Sequence, residues 1–236
     1  MLCLQDTFCR NLCAQKGVHD CMKRWKVMAL ALFSAFCIAA CGKATPQEDV
    51  TSISVGNDDT IEYKIVESFG AEYNIDDFKT MLQSDVAQYN EGITEGAIEI
   101  AGVSKNEAGN IVVEMKFPSA ADFNGFSNMN TMEEILFFYG TVEEAYTAGH
   151  NLDVVLHGRE DDTKILKKND ILNLGESKIL IYDARLNHDG TTQTPATMRI
   201  EVSGQISYVS NGVVIVDKNT VDISAIDGLY YIILND

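Results

Sequence analysis

The sequence predicts an acidic α+β domain built on one antiparallel sheet. Helix and strand mix through its first half, and strands dominate the second. Three observations lead there. Residues 75–89 carry apolar side chains at spacings of three and four, the period of a one-sided helix. After Gly149 that period disappears, and short β-rich runs follow, separated by Asp-Gly, Ser-Gly and Asn-Gly pairs. No repeat of 20–50 residues and no low-complexity tract is present. Two subdomains meeting near Gly158 are the alternative. The lack of a linker-like segment there favours one domain over residues 59–236, about 178 residues and enough for an ordinary core.

The elements follow in order. Residues 42–58 are small and polar with no sustained period, and they read as a flexible tether. Thr60 to Phe69 is rich in Ile, Tyr and Val and reads as a strand. A helix follows, capped by Asn74, with Asp77 near its positive dipole end. Its apolar face is Ile75, Phe78, Met81, Leu82, Val86 and Tyr89, and Glu91-Gly92 ends it. Ala97–Ser104 and Asn110–Phe117 form a hairpin around Asn106-Glu107-Ala108-Gly109, with glycine supplying the positive φ.

Pro118 to Asn130 reads as a loop containing Gly125. Two short helices joined at Gly140 are expected next, since Thr131-x-x-Glu134 and Thr141-x-x-Glu144 both have capping-box form, and Gly149 is a natural stop. The remaining strands are Leu152–Leu156, Lys178–Tyr182, Thr197–Val202, Gln205–Val209, Gly212–Val216 and Leu229–Leu234. Turns fall at Asp189-Gly190, Ser203-Gly204, Asn211-Gly212 and Asp227-Gly228. The turns at Gly204 and Asn211-Gly212 suggest a tight meander from Thr197 to Asp217.

Ahead of the domain lies an export signal. Met22-Lys23-Arg24-Trp25-Lys26 places three positive charges before a 14-residue apolar run, Val27 to Ala40. As a helix that run rises about 21 Å, short of a bilayer core of about 30 Å, so it does not read as a permanent span. It ends in Ile38-Ala39-Ala40-Cys41: an aliphatic residue, two small residues, then cysteine. This segment resembles the signal peptide and lipobox of bacterial lipoproteins. The resemblance covers residues 22–41 and implies diacylglycerol on the Cys41 thiol, cleavage just before it, and a lipid anchor at the outer face of a membrane.

Residues 1–21 lack a helical stripe and fit no such signal, so Met22 is the expected start and 1–21 an upstream extension. The other reading of that segment is a small disulfide or zinc unit on Cys9, Cys13, Cys21 and His19. All six cysteines lie at or before Cys41, which leaves the exported domain without disulfide or thiolate chemistry.

Charge narrows the partners. The chain has 18 basic and 35 acidic residues; five of the former and two of the latter precede Cys41, leaving 13 against 33, about −20. Such a domain is repelled by a phosphate backbone, so nucleic acid is excluded as an expected partner. Anionic lipid would repel it too, so membrane attachment rests on the acyl chains.

No chemical constellation stands out. There is no G-x-S-x-G elbow, phosphate loop or H-E-x-x-H, and no catalytic residue is assigned. His150 and His157 are seven apart and would face opposite sides of a strand; with His188 they read as lone surface or turn histidines. The acidic pairs Asp76-Asp77, Glu133-Glu134 and Glu143-Glu144 sit in first turns of expected helices, where they offset the dipole. Glu160-Asp161-Asp162 lies in a loop and is the weak candidate for a metal, Ca2+, although it lacks the spacing of an EF-hand. Ile135-Leu136-Phe137-Phe138-Tyr139 is five apolar residues in a row on an expected helix. Phe137, Phe138 and Tyr139 are therefore either a partner surface or, on the bland reading, a helix buried on several sides. The expectation is a non-catalytic lipoprotein domain that binds a protein, a glycan or a small solute at the cell envelope; the alternative is an extracytoplasmic hydrolase acting on cell-wall or carbohydrate material.

Overall fold

The computed structural model describes residues 50–70, 73–92, 97–129, 134–187 and 196–235. Within them lie two sheets and four helices. Sheet A has seven strands in the order β11-β12-β9-β1-β2-β4-β3, and sheet B has six in the order β5-β8-β13-β10-β6-β7. In sheet A these are β1 Thr51–Val55, β2 Ile61–Ser68, β3 Glu99–Lys105, β4 Asn110–Phe117, β9 Met198–Val202, β11 Val213–Ile215 and β12 Thr220–Ile223. In sheet B they are β5 Phe137–Thr141, β6 Leu156–Gly158, β7 Ile165–Leu166, β8 Lys178–Asp183, β10 Gln205–Ser210 and β13 Leu229–Asn235. The helices are α1 Ile75–Asn90, α2 Ala120–Asn128, α3 Val142–Thr147 and α4 Lys168–Leu172, with a 3-10 turn at Ala184–Asn187. The class is α+β, mainly β, but with two sheets where one was expected. Sheet A is also not purely antiparallel, because β1 and β9 run parallel.

Strand β1 overturns the tether assigned to residues 42–58, as far as its described part goes. Thr51-Ser-Ile-Ser-Val55 alternates polar and apolar over only five residues, too short to stand out beside the polar stretch before it. It nonetheless sits mid-sheet, between β2 and β9, with Ile53 fully buried. Sheet A thus combines strands from the first and the last parts of the described chain.

Sheet A is one-sided. Ile53, Tyr63, Met115 and Ile200 share a buried row across its inner face. Its outer face carries charged cross-strand pairs, among them Lys116 with Glu62 at 2.8 Å and Arg199 with Asp222 at 2.8 Å. Period-two alternation was therefore readable in β2 and β4. Sheet B is covered on both faces. From β8, Leu180 and Tyr182 join the core against sheet A, while Ile179 and Ile181 pack beneath α3 and α4 with Val142, Ala145 and Ile171. Strand β13 divides the same way, with Ile232 and Leu234 on one side and Tyr231 and Ile233 on the other. A strand between two apolar layers reads as a continuous apolar run.

That explains residues 135–139. The expected helix is instead the approach to β5 and the strand itself. Phe137 and Tyr139 face the core shared with sheet A, while Leu136 and Phe138 face the α3 side. Thr131, the other proposed cap, lies outside the described residues. The stretch read as a loop around Gly125 is α2, capped by Ser119, whose hydroxyl accepts from the Asp122 amide. Gly125 acts by its small size: a Cβ there would collide with the Tyr89 hydroxyl of α1. Phe123 and Phe126 of α2 then join Phe117, Tyr63 and Phe137 in edge-to-face and tilted contacts, with centroids 5.2–5.9 Å apart.

Other expectations hold. Asn74 caps α1 and accepts from the Asp76 amide, and Phe78, Leu82 and Val86 are its buried face. The hairpin turns at Gly109 with φ +83°. Thr141 and Glu144 form the full capping box of α3. The meander does not form. Strands β9 and β11 both flank β12 in sheet A, whereas β10 crosses to sheet B between β13 and β6. The chain changes sheets at Ser203-Gly204, where the Ser203 amide donates to the Val55 carbonyl. The strand expected at Leu152–Leu156 begins only at Leu156.

Candidate functional site

The proposed site residues do not converge. Cys41 and His188 lie outside the described residues. Phe137 is fully buried in the core, while Phe138 and Tyr139 are partly buried and pack against the two apolar layers. His150 packs against Phe138 with ring centroids 4.7 Å apart, and burial lowers its pKa. Among the described residues no three His, Cys, Asp or Glu side chains are grouped to hold a metal ion.

The acidic triplet shows why. It follows β6 on a turn that brings the chain back as β7. Asp161 Oδ1 accepts from the amide and hydroxyl of Thr163, at 3.1 and 2.5 Å, so its carboxylate closes its own loop. Those bonds, the hydroxyl's first, hold the Asp161 carboxyl below the usual carboxylate range. Glu160 turns to Arg159, Oε1 to Nη2 at 2.7 Å. The Asp162 carbonyl lies 3.1 Å from His157 Nδ1. The carboxylates of Glu160 and Asp161 are engaged separately, and the triplet forms no metal-holding group among the described residues.

The same loop borders a cleft of about 180 Å3. Its walls are Gly158–Asp161 and Lys164 on one side and Gln205–Tyr208 with Asn235 on the other. Pairing sets the geometry: Tyr208 lies opposite Gly158, Gln205 opposite Asn235, and the Arg159 amide donates to the Ser207 carbonyl at 2.8 Å. Gly158 is required by close approach, since a Cβ there would stand 2.7 Å from the Asp161 carbonyl oxygen. The cleft lies at the end of the fold where β1 finishes, because Ser203 bonds Val55 two residues before Gln205. The chain joins sheet A at the other end of that strand, at Thr51.

Arg159 stands apart from the domain's other arginines. Arg185 grips the buried Asp183 through Nε and Nη2, with Nη2 to Oδ2 at 2.6 Å, and also reaches the Glu134 carbonyl. Arg199 holds Asp222 through Nε and Nη2 at 2.8 and 2.9 Å. Both are two-point guanidinium–carboxylate pairs. Arg159 has only Glu160, its exposed neighbour in sequence, on Nη2. Its Nε is buried without a hydrogen-bond partner. Lys164, across the loop, is exposed and makes no ion pair among the described residues. The sequence marks Glu160-Asp161-Asp162 for their acids; the available groups are the two cations that flank them, Arg159 and Lys164. No family model, no curated protein and no solved structure matches the chain.

Proposed function

We propose that this chain is an exported bacterial lipoprotein, anchored through acylated Cys41, whose single α+β domain is a non-catalytic binding module at the cell envelope. The observation that carries the reading is the basic cluster, 14-residue apolar run and Ile38-Ala39-Ala40-Cys41 in direct succession. The fold supports it in one respect: the first strand starts at Thr51, so the signal and the folded domain do not compete for residues. Ten Cα steps separate Cys41 from Thr51, a reach of at most about 35 Å. The domain is therefore held close to the bilayer, with the cleft at the strand end away from the attachment. The binding role rests on that cleft, whose lining includes the cations Arg159 and Lys164.

Fractionation of cells expressing the full chain and its Cys41→Ala variant tests the anchor. The wild-type protein is expected in the membrane fraction, released by detergent and not by salt. Cys41→Ala should lose acyl labelling; unchanged labelling would refute the reading.

A further inference from the structure

We infer that the cleft between residues 158–164 and Gln205/Asn235 binds the carboxylate of a small acid, with the Arg159 guanidinium as its anchor and Lys164 as a second cation. The inference rests on the binding reading above and names the ligand chemistry of that site. Four observations carry it. Arg159 is the one arginine after Cys41 without a two-point carboxylate partner. Glu160, its one ion-pair partner, is 79% exposed on its side chain and is free to turn aside or share the guanidinium. Nη2 engages Glu160 and Nε is buried without a hydrogen-bond partner, so this is the guanidinium of the domain whose donors are not taken up by a two-point pair with a carboxylate. Lys164, Gln205 and Asn235 line the same opening, residues whose side chains carry a second positive charge and two amides.

Size and charge limit the ligand. A cleft of about 180 Å3 is smaller than sites for drug-sized molecules. That leaves room for a carboxylate and the group next to it. The chain's net charge of −17, with Glu160 and Asp161 on the rim, disfavours a dianion such as phosphate. A monoanion is the better match. Two sources share that chemistry: the C-terminus of a short peptide and the acid group of a sugar. The two amides suit either.

Saturation-transfer NMR on the full chain in detergent micelles tests this, with N-acetylalanine and glucuronate as probes and N-acetylalanine amide as the neutral control. Saturation of at least one acid is expected, with the amide at least tenfold weaker, and the stronger acid identifies the source. Arg159→Gln should weaken binding at least tenfold, and Lys164→Gln a few-fold. If Arg159→Gln fails to fold, Arg159→Lys keeps the charge without the fork and should still bind several-fold more weakly. The proposal is overturned if neither acid is saturated, if acid and amide respond alike, or if Arg159 variants that fold bind as wild type. Displacement by inorganic phosphate at equal concentration also overturns it. Binding retained in Cys41→Ala, with that variant lost from membranes, separates this site from the anchor: either can fail alone.

Discussion

Asn124 of α2 and Phe137 of β5 pair as two strands do. The Asn124 side-chain amide donates to the Phe137 carbonyl at 2.6 Å, and its oxygen accepts from the Phe137 amide at 2.8 Å. One helical turn on, Asn128 repeats this with Ile135, both bonds at 2.8 Å. Asn90 of α1 does the same with Ile98 ahead of β3, at 2.9 and 3.0 Å. A side-chain amide has the donor and acceptor of a backbone peptide, so a helix can finish the hydrogen bonding of an edge strand. In sheet B this covers β5, an edge that would otherwise invite another strand.

Asn124→Ala leaves the amide and carbonyl of a buried residue unsatisfied. Urea unfolding should show a loss of about 1–3 kcal/mol. Asn124→Asp should do at least as badly, because it turns an acceptor toward the Phe137 carbonyl. Equal stability of wild type and Asn124→Ala would mean that the pairing contributes little.

Arg185 and Arg159 should separate structure from binding. Arg185→Met strands Asp183, which is 2% exposed on its side chain, and should cost about 3–5 kcal/mol. Arg159→Gln removes a guanidinium paired only with an exposed neighbour and should change stability by less than about 1 kcal/mol. Thermal unfolding of the two variants side by side measures the contrast.

The loop carrying Arg159 depends on Gly158. Gly158→Ala drives a Cβ against the Asp161 carbonyl oxygen at 2.7 Å, and backbone must move to relieve it. The domain should stay folded, at a cost of about 1–3 kcal/mol, while the cleft deforms. Amide shifts in a two-dimensional NMR spectrum should cluster on residues 156–166 and 205–208. Shifts spread evenly over both sheets would contradict a local role.

Asp85 gives a pH dependence. It is buried on the apolar face of α1, and burial raises its carboxyl above the usual carboxylate range. A carboxyl raised in the folded state favours folding while protonated, below about pH 3.8, and loses that contribution as pH rises through its folded value. Asp85→Asn should therefore unfold at a higher temperature than wild type at pH 7, with the difference vanishing below about pH 3.8. A variant less stable at pH 7 would mean that the charged form has a favourable role.

The sequence revealed what depends on one exposed face. Strands β2 and β4 alternate because only one side of sheet A is dry, and α1 shows its period because it has a single buried stripe. Residues 135–139 and β1 hide their strand character for opposite reasons. The first lie between two apolar layers and carry no alternation; the second is too short for its alternation to register. Pro118 to Asn130 reads as a loop because the purpose of its Gly125, room for Tyr89, comes from a helix more than 30 residues away. The cleft escaped because its cations are ordinary residues until pairing sets Gly158 opposite Tyr208. The acids beside them drew attention by number alone.

The central claim, an acylated N-terminal cysteine followed almost at once by the folded domain, is tested most directly by mass spectrometry of the N-terminal peptide of the protein purified from bacterial membranes. The expected result is a peptide beginning at Cys41 and carrying a diacylglycerol thioether. A peptide beginning at Met1 or Met22 with unmodified Cys41 would contradict it.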